Sequence, residues 1–249
     1  ATYWKGYVGE VIIYHSVLSD IHRQTIEGYM AWKWGLQSNL PSAHIFKNAT
    51  PQIDLFNYQF RLKDVSSTMI TKDATNTYTI TNNGSVSIVN DASRGYVFSF
   101  SGSNYLSLQT TSTTGSYATR TFWVKTSNAS SGGGNICSSP NWYVRFNGTN
   151  FLNSTPGTVT SATDPTNEGT NWIFYACTTN LTTTQIYVNG NTTPVASATL
   201  ASNFTGDTSY VQIGALSGAG FYTGYLDDIR QYNYVLSGSQ IQTIYNATK

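Results

Sequence analysis

Six Trp and 18 Tyr stand in this 249-residue chain beside three Glu (Glu10, Glu27, Glu168) and three His (His15, His22, His44), so flat π faces rather than titratable pairs are its largest chemical resource. Side chains on a strand alternate between faces. In the run TFWVKT this sends Phe122 and Val124 to one side and Trp123 to the other; in NWYVRF it groups Trp142, Val144 and Phe146 and leaves Tyr143 with Arg145 opposite. By the same alternation Tyr175 and Tyr187 join them. A ring presented this way stacks on the C–H groups of a sugar while nearby polar side chains bond its hydroxyls. Trp123, Tyr143, Arg145, Tyr175 and Tyr187 are therefore the candidate carbohydrate-binding residues, against the plain alternative that each packs between sheets.

The other reactive types offer less. Glycoside hydrolysis wants two carboxyl groups facing one another across a cleft, and the three Glu show no such pairing, so no catalytic residue is assigned. An unusual lyase could still work with Tyr, Arg and His, because β-elimination needs a base and a group that neutralises the uronate. Asp227 and Asp228 are adjacent hard-oxygen donors of the kind calcium takes. On a regular strand they point to opposite faces, which favours Asp228 pairing with Arg230 and Asp227 meeting solvent or a turn backbone. The histidines have no Cys or acid at metal-ligand spacing and are expected at the surface, so neither a metal site nor a cofactor is expected. Cys137 and Cys177 lie in strand-like runs and either form one bridge, if those strands are neighbours, or stay reduced in the core.

The elements that position these residues read as β-structure. Apolar residues are 39% and charged residues 10% of the chain, with Ser, Thr, Asn and Gly filling most of the rest. The net charge of +1 comes from scattered residues, which argues against nucleic acid as a partner. No apolar run reaches the length that spans a bilayer, and the N-terminus lacks the layout of a signal peptide, as if the chain began mid-protein. Nine Asn-x-Ser/Thr sequons occur, little above chance for this composition. From about Ile53 to Tyr222, runs such as GYVFSF, NYLSL, RTFWVKT, NWIFYACT, QIYVNG and YVQIG alternate with turn signals, including Asn-Gly at Asn83, Asn147 and Asn189. That is the layout of an antiparallel sandwich.

A split repeat brackets this region. GYVGEVIIYHSVLSDIHRQTIE from Gly6 and GYLDDIRQYNYVLSGSQIQTIY from Gly224 share nine of 22 positions, with Glu10 against Asp228. Each copy reads as strand, turn and helix. Ser237 and Gln240 form a capping box ahead of an apolar stripe of Ile241, Ile244 and Tyr245. In the first copy Ser19 is the cap, Ile26, Tyr29, Met30 and Trp34 form the stripe, and Gly35 ends the helix.

The order GYVFSFSGSNYLSL, TFWVKT, NWIFYACT, QIYVNG and FYTGYLDDIRQYNYVLSGSQIQTIYN resembles the concanavalin A-like lectin/glucanase superfamily in its laminin G-like form. The N-terminal segment, continuing into GYMAWKWGLQSNLPSAH, resembles repeat proteins of large DNA viruses, notably algal ones, and of some aquatic bacteria. The resemblance implies an all-β, antiparallel two-sheet jelly-roll sandwich with a short N-terminal strand-helix segment, whose concave face or edge loops bind glycans. Residues 1–50 would be the closing strand and helix of a preceding repeat, docked on the main domain at 51–249, with the strand from Glu10 to Tyr14 on a sheet edge. The implied role is a lectin-like domain of a virion-associated or secreted multidomain protein that recognises cell-wall or cell-surface polysaccharide without entering the membrane. A wall-degrading lyase or glycosidase on the same fold is the rival, although the Glu-x-Asp-x-Glu strand of the family's glucanases is missing. A structural repeat of a capsid or fibre is the third reading.

Overall fold

The computed structural model describes residues 5–9, 11, 20–48, 58–60, 79–109, 116–126, 134–147, 150–155, 157–163, 171–206, 210–232 and 234–249. The chain divides into two compact units, Ala1–Ile53 and Asp54–Lys249. In the first, helix α1 (Asp20–Lys33) ends where Gly35 takes a φ of 70°, a left-handed turn that glycine adopts without strain. A 3-10 turn follows at Gln37–Asn39. The segment beyond it returns to the helix: Phe46 packs on Gly28, and its carbonyl accepts a hydrogen bond from Trp32 Nε1 at 2.8 Å. His44, expected at the surface, is buried instead, with Nε2 3.3 Å from Glu27 Oε2 and Nδ1 accepting from the Phe46 amide. Of the strand expected from Glu10 to Tyr14 only Val11 is described, exposed and without strand pairing, and the Ser19 cap and His15 lie outside the described residues.

The second unit is the sandwich. Its strands in chain order are β1 (Tyr58–Phe60), β2 (Ile80–Asn83), β3 (Ser87–Asp91), β4 (Gly95–Ser101), β5 (Tyr105–Gln109), β6 (Ala118–Thr126), β7 (Asn135–Ser139), β8 (Trp142–Asn147), β9 (Asn150–Thr155), β10 (Thr158–Thr163), β11 (Ile173–Thr179), β12 (Thr183–Val188), β13 (Ala196–Thr199), β14 (Tyr210–Ile213) and β15 (Thr223–Tyr232). One sheet runs β13-β12-β11-β6-β15-β4-β3, with β1 also on β15; the other runs β10-β9-β8-β7-β14-β5-β2. All the pairings are antiparallel, and the chain passes repeatedly between sheets, as in a jelly roll. The inner faces enclose Phe98, Phe100, Leu106, Leu108, Phe122, Val124, Trp142, Val144, Phe146, Phe151, Tyr175 and Leu226. Each such side chain contributes about 1.5–3 kcal/mol by leaving water, so this layer holds the fold together.

Asn-Gly turns play varied parts. The pair at Asn147 falls in the β8–β9 hairpin, where Asn147 faces Asn150. Asn83-Gly84 instead sits where the chain crosses from one sheet to the other, and Asn189-Gly190, both with positive φ, opens a longer loop between β12 and β13. Helix α2 (Gly238–Thr248) starts at the capping box read from the sequence: the Gln240 amide donates to Ser237 Oγ, and the Ser237 amide to Gln240 Oε1 at 2.8 Å. Since Asp20 opens α1 and aligns with Gly238 in the repeat, the two helices begin at equivalent positions.

Candidate functional site

The closing motif is where the chemistry looked densest, and the structure uses it for anchoring. Leu226 and Ile229 both face the core, three residues apart instead of two, because a bulge interrupts the β15–β6 register and Asp228 adopts a φ of 47°. Strict alternation therefore fails here, and both aspartates leave the core side. Each meets a guanidinium. Asp228 is held by Arg230 through two bonds of 2.7 Å, as the sequence implied. Asp227 is not solvent-facing: it is buried, and Arg94 Nε donates to its Oδ2 at 2.8 Å. Burial pushes the Asp227 carboxyl above its ordinary range despite that guanidinium. Arg94 also donates to the Thr248 carbonyl and lies 4.2 Å over Trp123, so it ties the β3–β4 turn, β15 and the end of α2 together. No group of three or more metal-ligating side chains occurs among the described residues.

The outer face of the first sheet carries Trp123, as alternation required, but α2 closes the face at that point. Helix α2 lays Ile241 and Ile244 over Trp123, Phe174, Tyr187 and Tyr232. Trp123 is 5% exposed, stacks on Tyr245 at 5.5 Å and donates from Nε1 to Thr248 Oγ1. Tyr187, at 6%, lies in the same cluster. Tyr175 points the other way, into the core, where its ring stacks 4.0 Å from Phe151 and has no exposure. A ring without an open face cannot stack on a sugar, so these three are corrected to packing residues.

Tyr143 and Arg145 are different. Both lie half-buried on the outward side of β8, away from Trp142, Val144 and Phe146. Cross-strand pairing places Ser138 and Ser154 beside Tyr143, and Asn135 and Leu152 beside Arg145. The Arg145 guanidinium sits 5.7 Å over the Tyr143 ring. Next to Tyr143 opens a cavity of about 380 Å³ lined by Pro140, Asn141, Ser154, Thr155, Gly157, Thr158 and Val159. Further along the sheet the loop around Ser217 folds against this face, with Tyr210 Oη 2.9 Å from Ser217 Oγ and Gly218 N donating to Gln212 Oε1. An aromatic ring edged by hydroxyls, an amide and a cation is the arrangement a sugar ring can use.

Sequence reasoning passed over Arg120, a fully buried cation. From β6 it donates from Nε to Gln231 Oε1 of the neighbouring β15 (2.7 Å), then crosses the core to the other sheet, donating from Nη1 to the Trp142 carbonyl (2.7 Å) and from Nη2 to Ser139 Oγ (2.6 Å). The signal was present, since alternation from Phe122 turns Arg120 inward. Asn153 makes a second crossing, accepting from Trp142 Nε1 and donating to Thr184 Oγ1. Fully buried, Asn153 is a sequon that the folded domain withholds from glycosylation. Cys137 and Cys177 are free and buried in opposite sheets, and burial lifts the Cys177 thiol well above its usual range.

A laminin G family model described as the concanavalin A-like lectin/glucanases superfamily matches residues 100–242, more than half of the chain. The chain belongs to this superfamily. Among solved structures it is similar to domain 4 of AbnA, an extracellular arabinanase of Geobacillus stearothermophilus in complex with arabinotriose, at 16% identity and a TM-score of 0.59 over 76% of this chain and 98% of that one. It is also similar to the botulinum neurotoxin serotype D binding domain, at 15% identity and a TM-score of 0.59 over 78% of this chain and 52% of that one. The binding domain of botulinum neurotoxin DC in complex with SialylT matches at 12% identity and a TM-score of 0.58, over 79% and 52%. The chain thus spans about half the length of the neurotoxin domains. At these identities the likeness is one of fold. No curated protein matches the chain. Among the described residues, no helix is long and apolar enough to cross a membrane.

Proposed function

We propose that this chain is a carbohydrate-binding domain, and that the outward face of β8 is where it holds its ligand. The carrying observation is a contrast: α2 covers Trp123, Phe174, Tyr187 and Tyr232 on the first sheet, whereas on the second Tyr143 stays half-exposed beside a cavity lined by hydroxyls and an amide. A cavity of this size suits one or two sugar units. Similarity to an arabinanase domain in complex with arabinotriose is in keeping with this reading. Its finer setting, a virion-associated or secreted multidomain protein that meets polysaccharide of a host cell wall or surface, rests on the resemblance of the N-terminal segment.

A glycosidase finds no support on this face, because the strands of the second sheet carry no carboxylate; a lyase, which needs only a base and a group that neutralises a uronate, is the rival that the experiment separates. A glycan array that includes algal wall extracts tests the proposal. The expected result is a hit that weakens about tenfold in Y143A, the loss of roughly 1.4 kcal/mol of stacking and contact. Binding unchanged in Y143A defeats the placement, and release of soluble sugar or unsaturated uronate from purified wall would instead establish the enzyme.

A further inference from the structure

We infer that Arg145 makes this face selective for acidic sugars, with its guanidinium receiving the carboxylate or sulfate of a residue stacked on Tyr143. The inference rests on the carbohydrate-binding reading above and deepens it.

Charge distribution is the first ground. In the first sheet every charged side chain has a partner: Asp91 with Lys125, Asp227 with Arg94, Asp228 with Arg230, and Arg120 with Gln231, Ser139 and a carbonyl. In the seven strands of the second sheet, Arg145 is the single charged residue. Among the described residues it has no carboxylate partner, and its one charged-group contact is the ring of Tyr143. A lone cation on an otherwise neutral, partly enclosed face has not been neutralised from within the fold, and an anion reaching it meets no competing acid on those strands.

Hydrogen bonding is the second. Arg145 Nε is buried and makes no hydrogen bond. Its cross-strand neighbour Asn135 is also buried; the Nδ2 atom donates to the Gly220 carbonyl at 2.8 Å, while Oδ1 has no partner. Leaving a buried donor unmatched costs about 1–3 kcal/mol, a penalty that folds tolerate mainly where a ligand or an ordered water completes the set. The guanidinium fork matches a planar carboxylate through two parallel bonds.

Geometry is the third. Tyr143 and Arg145 are two residues apart on one strand, so they occupy adjacent positions about 7 Å apart on one face. A pyranose stacked on Tyr143 can place ring hydroxyls toward Ser154, Thr155 and Thr158 and an acidic substituent toward Arg145.

The test measures binding of the 249-residue chain to three probes by calorimetry: oligogalacturonate (carboxylate), carrageenan oligosaccharides (sulfate) and neutral galactan oligosaccharides. The expected result is preference for an acidic probe and tenfold or more weaker binding of that probe in R145Q, with neutral binding falling much less, so that the preference for acidic sugars is lost. R145K, which retains a charge but not the fork, separates the anions: carboxylate binding falls while sulfate binding largely persists. It also guards against misfolding of R145Q, since both variants are compared at matched circular dichroism. Acidic binding unaffected by either variant, or retention of neutral probes alone, overturns the role of Arg145 and leaves the carbohydrate-binding reading standing. If none of the probes nor any glycan on the array binds, both fall.

Discussion

Removing Arg120 probes how the two sheets are joined. The guanidinium is fully buried, lies 4.1 Å over the Trp142 ring and donates to Gln231, Ser139 and the Trp142 carbonyl. In R120A, Gln231 Oε1 loses this donor in a site with no exposure, about 1–3 kcal/mol. The vacated volume and the lost contact with Trp142 add roughly 2–3 kcal/mol. Against this stands relief from burying a cation, which makes the net cost about 3–5 kcal/mol, the usual range when one member of a buried polar set is deleted. For a domain of this size that lowers Tm by about 6–20 °C. R120M/Q231M, which replaces the polar pair by apolar side chains of similar length, should recover most of the loss. Guanidinium titrations followed by tryptophan fluorescence, run as a double-mutant cycle, measure both. R120A within 1 kcal/mol of wild type, or a double variant as unstable as R120A, would show that these bonds do not join the sheets as described.

Further outcomes follow from single contacts. G238A should destabilise the domain although Ala is the better helix former by about 1 kcal/mol, because a Cβ there would run into the Thr192 carbonyl; a raised melting temperature contradicts this. Burial opposes ionisation of Asp91, but bonds from Ser93, Lys125 and Trp172 prevail and hold its carboxyl below the ordinary 3.8. Its folded pKa being depressed, Asp91 contributes stability above pH about 4 that is lost as the pH falls further, so D91N should flatten the stability profile on the acid side; an unchanged profile refutes it. Both thiols should ignore Ellman's reagent in the native domain and react once it is unfolded, and rapid native labelling of Cys177 would show the site to be open.

Much of the fold was legible because local periodicity and tertiary burial agree along most of the chain. TFWVKT and NWYVRF alternate cleanly, and the structure places Phe122, Val124, Trp142, Val144 and Phe146 in the core with Trp123, Tyr143 and Arg145 facing outward. Where a strand is apolar throughout, periodicity has no phase to read. IFYACTT is buried at every position, so the sequence could not say that Tyr175 shares a face with Phe122, its cross-strand partner. At Asp227 the obstacle was the bulge, whose spacing of Leu226 and Ile229 is the one local sign of it.

The candidate site was half legible for a related reason. Alternation decides which side of a sheet a residue takes, but not whether that side is later covered. Trp123 is closed off by Thr248 and Tyr245, more than 120 positions away in the chain, and Arg94 reaches Asp227 across a similar separation. Tyr143 escaped this because α2 packs on the other sheet. The same asymmetry bears on the repeat. Gly224 permits close approach to β6, where a Cβ would meet the Lys125 carbonyl at 2.6 Å; Leu236 and Ile244 are buried, and Ser237 caps. The positions shared with Gly6, Leu18, Ser19 and Ile26 are thus those that close a sheet's outer face with a helix. Tyr143 and Arg145 lie outside the repeated segment, so the repeat preserves a way of sealing one sheet and leaves the outward face of the other free to differ.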